Sequence, residues 1–326
     1  MKAYVVKNGS YQFISVNNPR LGNKQIKIKL TSAGLNHRDL MIKERFANNT
    51  DAYILGSDGA GIVDQIGTEV TRFQVGDEVM INPSLNWYEK SAAPPAEFEI
   101  VGAPFSGTFA EYIIISEDFA EPKPNYLTWE EAGVLCLSGI TGFRALFTQG
   151  EIKPGQTLFI PGVGSGVNSF IIQLAKAIGA RVITTSRDKN KLKEAEVLGF
   201  DRALLTDDDW EKLLEKEEID LVIESIGGAT FNRSLNVLKK GGRIVTFGSS
   251  TEDKMTLNLR EFFYGQYQLI GSTMGSRDEL REMLNFIEKH QIRPLLDKSF
   301  PFKEIDQAFA YLDKQKQLGK IAITFE

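Results

Sequence analysis

A cluster of glycines is the segment of this sequence best suited to chemistry, because it stands between a predicted buried strand and a predicted helix. Residues 158–160 are apolar, three glycines follow within residues 162–166, and the apolar residues after them take the 3.6-residue period of a helix. A glycine turn in this position gathers free backbone N–H groups at the positive end of a helix dipole, which suits a dinucleotide pyrophosphate. The predicted contacts are Gly164, Ser165, Gly166 and Val167. A glycine cluster by itself also fits a simple tight turn, so the surrounding segments decide between the two interpretations.

The segment about 20 residues further on bears on the choice of dinucleotide. NAD-binding domains of this kind place an acidic residue at the end of the second strand, where it holds the ribose 2′-hydroxyl. Residues 184–191 read Thr-Thr-Ser-Arg-Asp-Lys-Asn-Lys. Ser186 can donate a hydrogen bond, and Arg187 and Lys191 can neutralise a 2′-phosphate, so NADP(H) is predicted, with NAD(H) as the alternative. Asp188 complicates the choice, although it has a second interpretation as the N-cap of the following helix. The plain structural interpretation of the segment is a solvated basic helix start.

Composition and charge exclude several classes of protein. The chain has 326 residues, a net charge of −5 and dispersed basic residues, so there is no electrostatic case for binding nucleic acid. No apolar run reaches the ~18 residues of a membrane-spanning helix. The N-terminus has the pattern of a strand rather than of a signal peptide, so we expect a cytoplasmic protein without a membrane partner.

The cysteine and histidine counts limit the possible metal sites. Cys136 is the only cysteine, which excludes an internal disulfide and a four-cysteine zinc site. His37 and His290 are the only histidines. A catalytic zinc would have to combine His37, Cys136 and a carboxylate, a set that we do not favour, and metal-free chemistry is predicted.

The pattern of predicted elements divides the chain into three segments. Residues 1–125 are rich in short strands bounded by glycine, which is typical of a small closed β unit. Strands and helices alternate over residues 126–272, which predicts a doubly wound parallel sheet. Residues 273–326 end in an apolar strand with no helical partner, whose expected home is the first domain. The predicted fold class is therefore α/β, with a doubly wound parallel sheet and a discontinuous β domain.

Several ordered motifs, spread over nearly the whole chain, resemble the medium-chain dehydrogenase/reductase superfamily. They are residues 33–39 (AGLNHRD), 56–63 (GSDGAGIV), 76–79 (GDEV), the glycine turn, 241–245 (GGRIV) and 319–321 (GKI). The resemblance implies a GroES-like catalytic domain over residues 1–125 and 273–326, and a Rossmann NADP(H)-binding domain over residues 126–272. It also implies a homodimer, formed by pairing of the last Rossmann strand near residues 268–272 across a two-fold axis.

The chain departs from zinc-dependent members of that superfamily at the metal positions. The resemblance places zinc ligands at Asn36, Ser57 and Leu137, none of which is a cysteine or a histidine. Residues 82–107 correspond in position to the structural-zinc lobe but contain no cysteine. The zinc-free branch, of quinone oxidoreductase and enoyl reductase type, is therefore the better match. A further departure is Asn168, which stands where close relatives have a third glycine and is expected to hold the helix slightly further out.

The resemblance also implies which side chains act on the substrate. Asn36 would donate a hydrogen bond from its amide to a developing enolate or alkoxide, and His37 would donate directly or through water. In some members of the superfamily the residue matching His37 contacts cofactor phosphate instead. Asp39, Ser57 and Asp58 complete the implied catalytic group. For each of these residues the alternative is a structural role that joins a loop to the core.

The remaining candidates concern the proton donor and the nicotinamide. Tyr53 is the candidate proton donor, with Tyr88 and Tyr264 as competitors and simple core or surface packing as the plain alternative. Thr141 matches a position near the nicotinamide, and Gly248, at the end of a predicted strand, completes the cofactor-binding set.

Together these features predict a zinc-independent, NADPH-dependent oxidoreductase. Its predicted substrate is a small molecule, an activated alkene, quinone or carbonyl compound, to which hydride is transferred. Conjugated acceptors rank first, because without a Lewis acid nothing obvious lowers the pKa of a simple alcohol. One alternative is an NAD(P)H-binding redox sensor without turnover. Another is an alcohol dehydrogenase with an atypical metal site.

Overall fold

The structure is a computed structural model that describes residues 1–17 and 20–326. These residues form two compact units, one made of Met1–Ser138 and Gly275–Glu326 and the other of Gly139–Met274. The sequence pattern places the boundaries near 125/126 and 272/273. In the structure, residues 126–138 instead belong to the first unit.

Short strands make up most of the first unit, and strands alternate with helices in the second. The strands are β1 (Lys2–Lys7), β2 (Ser10–Ser15), β3 (Gln25–Leu35), β4 (Tyr53–Ile54), β5 (Asp58–Ile66), β6 (Glu78–Ile81), β7 (Ser84–Leu85), β8 (Glu99–Ile100), β9 (Tyr112–Ser116), β10 (Ala120–Pro122), β11 (Thr157–Ile160), β12 (Arg181–Ser186), β13 (Arg202–Leu205), β14 (Ile219–Glu224), β15 (Leu238–Thr246), β16 (Gln268–Gly271), β17 (Leu296–Pro301) and β18 (Lys320–Thr324). The α-helices are α1 (His37–Arg45), α2 (Trp129–Gly133), α3 (Cys136–Phe143), α4 (Gly166–Ala177), α5 (Lys189–Glu194), α6 (Trp210–Leu213), α7 (Gly228–Asn236), α8 (Leu259–Gly265), α9 (Arg277–His290) and α10 (Ile305–Asp313). A π-helical segment, Arg144–Gln149, follows α3, and 3-10 turns occur at Glu117–Phe119, Ala195–Leu198 and Phe302–Glu304.

The main sheet of the first unit is built around β3. Its strand order is β10-β6-β5-β3-β18-β17, and β9 also pairs with β3. The apolar side chains of β3 face the core, since Ile26 and Ile28 are fully buried, and Lys29 is exposed, whereas Lys27 is buried and paired with Asp64 (2.9 Å). On one side β3 pairs antiparallel with β18, and on the other side it pairs antiparallel with β5. The C-terminal strand thus lies beside the strand that leads into the 33–39 motif.

A close approach between β3 and α2 accounts for the membership of residues 126–138 in the first unit. A capping box opens α2, because Glu131 N donates to Thr128 Oγ1 (3.2 Å) and Thr128 N donates to Glu131 Oε2 (2.8 Å). The helix then lies so near β3 that a Cβ on Gly34 would come within 2.8 Å of Gly133 O. Only glycine at position 34 allows this packing.

The long segment over residues 82–107 is anchored to the rest of the first unit. Its short strands β7 and β8 pair with each other, and Trp87 between them is 1% exposed. Ser84 Oγ donates to Gly275 O (2.5 Å), and the backbone N–H of Arg277 donates to Trp87 O (2.7 Å). These bonds hold the segment against the start of α9.

The second unit contains the predicted doubly wound sheet. Its strand order is β13-β12-β11-β14-β15-β16, and all neighbouring strands run parallel. The chain moves outward from β11 in one direction and then returns to continue from β14 in the other. Ligands of doubly wound sheets bind at the carboxyl end of the strands where the order reverses in this way. The glycine turn, which follows β11 directly, occupies that point.

Within residues 1–17 and 20–326, no helix combines the length and the apolar character needed to cross a membrane.

Candidate functional site

The glycine turn connects β11 to α4 with its amide groups partly open. Gly162 has φ +87°, a backbone conformation that residues other than glycine rarely adopt. Ser165 is the N-cap of α4 and accepts a hydrogen bond from the backbone N–H of Asn168 (3.4 Å). The amides of Gly166 and Val167, the first two residues of the helix, make no hydrogen bond within the described part of the chain. Open donors at a helix N-terminus are the arrangement that binds phosphate groups.

Asn168 braces this turn from inside. The side chain is 1% exposed, and its Nδ2 donates to Pro161 O (2.8 Å) and to Gly162 O (3.0 Å). The first turn of α4 is therefore bonded directly to the end of β11. The asparagine at this position therefore adds two hydrogen bonds as well as volume.

The next strand fixes the other side of the turn. Thr185 Oγ1 accepts from Gly162 N (3.2 Å), and Thr185 O accepts from Val163 N (2.9 Å). Thr184 Oγ1 donates to Ile160 O (2.7 Å). The backbone of the turn is in this way held on two sides before any ligand binds, which lowers the entropy lost on binding.

The end of β12 carries the residues predicted to select the dinucleotide. Ser186 is 7% exposed and its Oγ accepts from Asp188 N (3.1 Å), which leaves the hydroxyl hydrogen available for donation. Asp188 accepts from Asn190 N (2.8 Å) and is the N-cap of α5, which agrees with its interpretation as a helix cap. Arg187 is exposed and Lys191 is partly buried.

These residues fit a dinucleotide cofactor. The open amides of Gly166 and Val167 would hold the pyrophosphate, and Ser186, Arg187 and Lys191 lie on the strand end and helix start where the adenosine ribose binds in doubly wound folds. The cofactor, when bound, would supply a hydride from its nicotinamide. Thr141 is buried on α3, and Gly248 is exposed beyond β15.

Glu224, at the carboxyl end of β14, is a buried carboxylate that the sequence analysis does not single out. It is 0% exposed. Its Oε1 accepts from Ile226 N (2.7 Å) and Gly227 N (3.3 Å), and its Oε2 accepts from Ser234 Oγ (2.7 Å). Thr230 Oγ1 donates to both carboxylate oxygens at 3.1 Å. This carboxylate therefore fixes the loop between β14 and α7 at the same edge of the sheet as the glycine turn.

The sequence-predicted catalytic residues meet in the first unit, where strand register brings them together. Ile321 lies opposite Leu35 in the β18–β3 ladder, so Lys320 and Asn36 face each other at its end. Lys320 Nζ donates to Asn36 Oδ1 (2.5 Å) and lies 3.4 Å from Asp58 Oδ2. Asn36 Nδ2 donates to the same Asp58 oxygen (2.9 Å), and Asp58 Oδ1 accepts from Leu137 N (2.6 Å). We call Asn36, Asp58 and Lys320 the buried cluster.

The bonds of the buried cluster favour the structural alternative for Asn36. Its side-chain N–H groups are directed to Asp58 Oδ2 and to Gly34 O (3.3 Å). The amide oxygen is bonded to Lys320. An amide with both donors and its acceptor engaged cannot also donate to a substrate oxygen unless an internal bond breaks. In this structure Asn36 therefore joins strands and is not an open donor.

Arg38 and Ser57 form a second pair beside the buried cluster. Arg38 Nη1 donates to Ser57 Oγ (2.5 Å), and Ser57 Oγ donates to Val101 O (2.6 Å). Nη1 also lies 3.3 Å from Val101 O and 3.5 Å from Gly102 O. Burial lowers the pKa of the Arg38 guanidinium, whereas Asp39 and Asp58 oppose that effect by their charge. The pair places a cation next to the position that resembles a zinc-ligand site in the relatives.

Asp39 is fully buried at the start of α1. Its Oδ2 accepts from Asn36 N (2.8 Å), and Oδ1 has no partner within the described residues. Burial raises the pKa of Asp39 to about 6, against the lowering effect of Arg38. The carboxyl group thus supports the turn that carries Asn36, in agreement with the structural alternative.

The other predicted residues are not drawn into these contacts. His37 is exposed at the first position of α1. Tyr53 accepts a hydrogen bond at its hydroxyl from Asn49 Nδ2 (2.9 Å) and packs on Phe46 with ring centroids 4.8 Å apart. The contacts of Tyr53 are those of the plain packing alternative and give no support to a role as proton donor.

The two competing tyrosines have surface contacts. Tyr88 is 39% exposed and stacks under the guanidinium of Arg277 at 4.9 Å. Tyr264 is 66% exposed and lies against Phe263. The proton donor is therefore not identified among these three side chains.

The donor set at the metal positions does not fit zinc. Asn36 offers an amide already bonded to an ammonium, Ser57 offers a hydroxyl that donates to Val101 O, and Leu137 offers only backbone. Zinc in proteins is held by thiolate, imidazole and carboxylate. Among residues 1–17 and 20–326, no group of three or more His, Cys, Asp or Glu side chains could hold a metal ion.

Arg38 and Lys320 are functional candidates that sequence reasoning missed. Both stand inside motifs that carry the family resemblance, Arg38 between His37 and Asp39, and Lys320 in the closing Gly-Lys-Ile. A cation inside a motif was the available signal. Its partner, however, depends on contacts with residues that are distant along the chain.

Comparisons with known proteins agree with the fold. Residues 22–125 match the family model described as alcohol dehydrogenase GroES-like domain, and residues 166–289 match the one described as zinc-binding dehydrogenase. A zinc-type alcohol dehydrogenase-like protein of Schizosaccharomyces pombe is 30% identical over 322 residues, which cover 94% of this chain and 92% of that protein. Among solved structures, an NAD-dependent alcohol dehydrogenase is 29% identical with a TM-score of 0.91, covering 99% of both chains. A putative alcohol dehydrogenase from Sinorhizobium meliloti 1021 is 26% identical with a TM-score of 0.92, covering 99% of this chain and 98% of that one.

Proposed function

The chain belongs to the medium-chain dehydrogenase/reductase superfamily and is an oxidoreductase, and we propose that it is a zinc-independent reductase that uses NADPH to reduce an activated alkene, quinone or carbonyl. The observation that carries this proposal is the ammonium of Lys320 bonded to Asn36 Oδ1, one of the three positions that resemble zinc ligands. A divalent cation placed there would be repelled by the ammonium in a site from which solvent is largely excluded. Reaction without a Lewis acid favours acceptors whose own conjugation spreads the developing charge.

The residues of the chain would bind and orient the reactants. The turn from Gly164 to Val167 would hold the pyrophosphate through backbone amides, and Asn168 and Thr185 would keep that turn in place. In the first unit, the buried cluster fixes the end of β3 and thereby the start of α1, from which Arg38 projects. Holding two reactants in a fixed geometry can supply a large share of the rate increase.

NADPH is proposed over NADH because of the residues at the end of β12. Asp188 is used as a helix cap, and Ser186, Arg187 and Lys191 offer a hydroxyl and two cations for a 2′-phosphate. The NAD-dependent alcohol dehydrogenase of similar structure keeps NADH as the alternative. A comparison of kcat/KM for the two cofactors decides between them, and a higher value with NADH would contradict this part of the proposal.

We also propose a homodimer. In the described part of the chain, β16 pairs with β15 on one side and has no strand on the other, so its edge is open. Leu269 on that strand is 40% exposed, and Phe263 and Tyr264 on α8 are 53% and 66% exposed. An open edge beside exposed apolar side chains favours pairing with a second copy.

The test of the proposed reaction is consumption of NADPH by the purified protein with a panel of quinones, enones and aldehydes. The assay is run before and after treatment with a strong chelator, together with measurement of the zinc content. We expect reduction of conjugated acceptors at the same rate in both samples. Activity that is lost with the metal and returns with zinc would favour an alcohol dehydrogenase with an atypical metal site. NADPH binding without turnover on any acceptor would favour a redox sensor.

A further inference from the structure

The guanidinium of Arg38 has hydrogen-bond donors that no atom of the described residues accepts. Its contacts with Ser57, Val101 and Gly102 all involve Nη1. Nε and Nη2 make no hydrogen bond to any described residue, and neither atom is among the fully buried polar atoms that lack a partner. Both nitrogens are therefore accessible while the side chain as a whole is partly buried. A guanidinium in this state presents two adjacent N–H donors in a fixed plane.

The charge of Arg38 also lacks a direct counter-ion. No carboxylate oxygen of the described residues lies within 4.0 Å of it, since the nearby Asp58 is bonded to Lys320 and Asn36. Asp39 directs one oxygen to Asn36 N. A partly buried cation without a carboxylate partner gains more from an arriving negative charge than an ion pair would.

The hydrogen-bond donors of the neighbouring polar side chains are already bonded to protein acceptors. Asn36 directs its amide N–H groups to Asp58 and Gly34 O. Ser57 directs its hydroxyl to Val101 O. Lys320 is 5% exposed and bonds Asn36 and Asp58. Of this group of side chains, Arg38 is the one with accessible donors beside the positions that resemble zinc ligands.

Resting on the reductase function proposed above, we propose that Arg38 is a catalytic residue that hydrogen-bonds the substrate oxygen on which negative charge develops, so that the preferred substrates are conjugated carbonyl compounds. In such a reduction a hydride adds to the β-carbon, the C=C electron pair shifts to give an enolate, and a proton taken up at the α-carbon restores the carbonyl group. The nicotinamide is left oxidised. Charge that appears on the oxygen is stabilised by donors already in place, which is the role of Nε and Nη2 of Arg38.

The first experiment measures steady-state reduction of an enone by the whole protein and by Arg38→Met and Arg38→Lys. Loss of one oxyanion donor lowers kcat by about 10²–10³-fold in other enzymes, and we expect that range for Arg38→Met, with KM for NADPH unchanged. Arg38→Lys should recover part of the loss because it keeps the charge but not the planar fork. Arg281→Gln is the matched control, since it removes another partly exposed arginine, whose Nε lies 2.8 Å from Glu121 Oε1. Its kcat should stay within about twofold of the wild type, as for a surface change away from the site.

A purely structural role for Arg38, as a link between Ser57 and Val101, requires a readout of its own. Arg38→Ala is assayed with added methylguanidinium at concentrations too low to unfold the protein. Recovery of kcat with the added cation supports the proposal, because a lost structural link is not repaired by a diffusible donor. Arg38→Met with kcat within threefold of the wild type, or a loss that methylguanidinium does not repair, overturns it.

A measurement on the unaltered protein covers the case in which the variants do not fold. The nitronate anion of 2-nitropropane is planar and carries its charge on two oxygens, like an enolate. It should protect Arg38 from modification by phenylglyoxal, followed by peptide mass spectrometry, and Arg281 should be modified at the same rate with and without it. Equal modification of Arg38 in both conditions overturns the proposal. A wild-type protein that reduces no acceptor contradicts the proposed reductase function instead, and protection of Arg38 would still establish the anion site.

Discussion

Lys320 Nζ lies 3.4 Å from Asp58 Oδ2, with the two side chains 5% and 0% exposed. The pair joins the last strand of the chain to β5 across the end of β3, and Asn36 completes it with bonds to both partners. A charge in this position is stable only while its partner is present, because water cannot replace the partner. The pair thus stabilises the first unit. It also places the Lys320 ammonium beside Asn36, one of the positions that resemble zinc ligands.

Lys320→Met should therefore destabilise the protein strongly. It leaves the Asp58 carboxylate buried without a counter-ion, and loss of one partner of a buried pair typically costs about 3–5 kcal/mol of unfolding free energy. Lys303→Met is the control, because Lys303 pairs with Glu326 at 3.5 Å on the surface, with side chains 70% and 89% exposed. Urea denaturation of both variants measures the difference. Equal losses would show that the Lys320 pair is not the buried interaction described here, and Lys320→Met/Asp58→Asn should recover part of the loss.

Asn168 gives a prediction that separates bracing of the turn from simple volume. Asn168→Ala removes the hydrogen bonds to Pro161 O and Gly162 O, and we expect a loss of about 1–3 kcal/mol in unfolding free energy. Asn168→Asp removes the same donors and adds a negative charge beside the amides that would bind pyrophosphate. It should raise the Kd for NADPH roughly tenfold or more relative to Asn168→Ala, a difference of at least ~1.4 kcal/mol. Urea denaturation measures the loss of unfolding free energy, and fluorescence titration with NADPH measures the Kd of each variant. Equal Kd values for the two variants would place the pyrophosphate elsewhere.

Local patterns in the sequence were sufficient for the elements whose formation is local. The glycine turn and the capping box of Thr128 and Glu131 each depend on residues within a few positions of one another. The doubly wound sheet follows from the alternation of such elements, and the parallel order of β11 to β16 confirms it. Membership of α2 in the first unit could not be read in this way, since it depends on the contact between Gly34 and Gly133.

The candidate site was predictable in its location but not in its bonding. Asn36 and Asp58 stand in motifs, yet the bond that engages the amide oxygen of Asn36 comes from Lys320, which is 284 residues away along the chain. That contact is set by the register of β18 on β3, and a shift of one residue would turn Lys320 to the opposite face. The role of Arg38 could not be predicted from the sequence for a related reason. Its unused donors become evident only when the donors of Ser57 and Asn36 are seen to be occupied.

Arg187→Ala tests the proposed preference for NADPH. If Arg187 contacts the 2′-phosphate, the variant should lose roughly tenfold or more in kcat/KM with NADPH, since a hydrogen bond to a charged group contributes about 1.5–3 kcal/mol. The value with NADH should change by less than twofold. Lys193→Ala, which removes an exposed cation from α5, is the control and should affect neither cofactor. A parallel loss with both cofactors would mean that Arg187 acts on the fold or on the shared part of the dinucleotide.

Asp39 should make the stability of the protein depend on pH in an unusual direction. Burial raises its pKa to about 6 in the folded protein, above the ~3.9 of an unfolded chain. As pH falls through 6 the native state takes up a proton before the unfolded state does, so this group adds stability that is complete below about pH 4 and is lost as pH rises through 6. Asp39→Asn removes the titration. The unfolding free energy of the wild type relative to Asp39→Asn should therefore rise by about 2–3 kcal/mol from pH 8 to pH 4. A constant difference over that range would show that Asp39 titrates normally.

Leu269→Lys tests the proposed dimer. The residue lies on β16, whose outer edge has no partner strand in the described part of the chain, and a lysine there would place two like charges close together across a two-fold axis. Light scattering after size-exclusion chromatography should give the mass of two chains for the wild type and of one chain for Leu269→Lys. Leu213→Lys is a closely matched control, because Leu213 is also 40% exposed and lies in the same unit, on α6. It should leave the dimer intact. A wild type that elutes as a monomer, or a Leu269→Lys variant that stays dimeric, would contradict pairing through this edge.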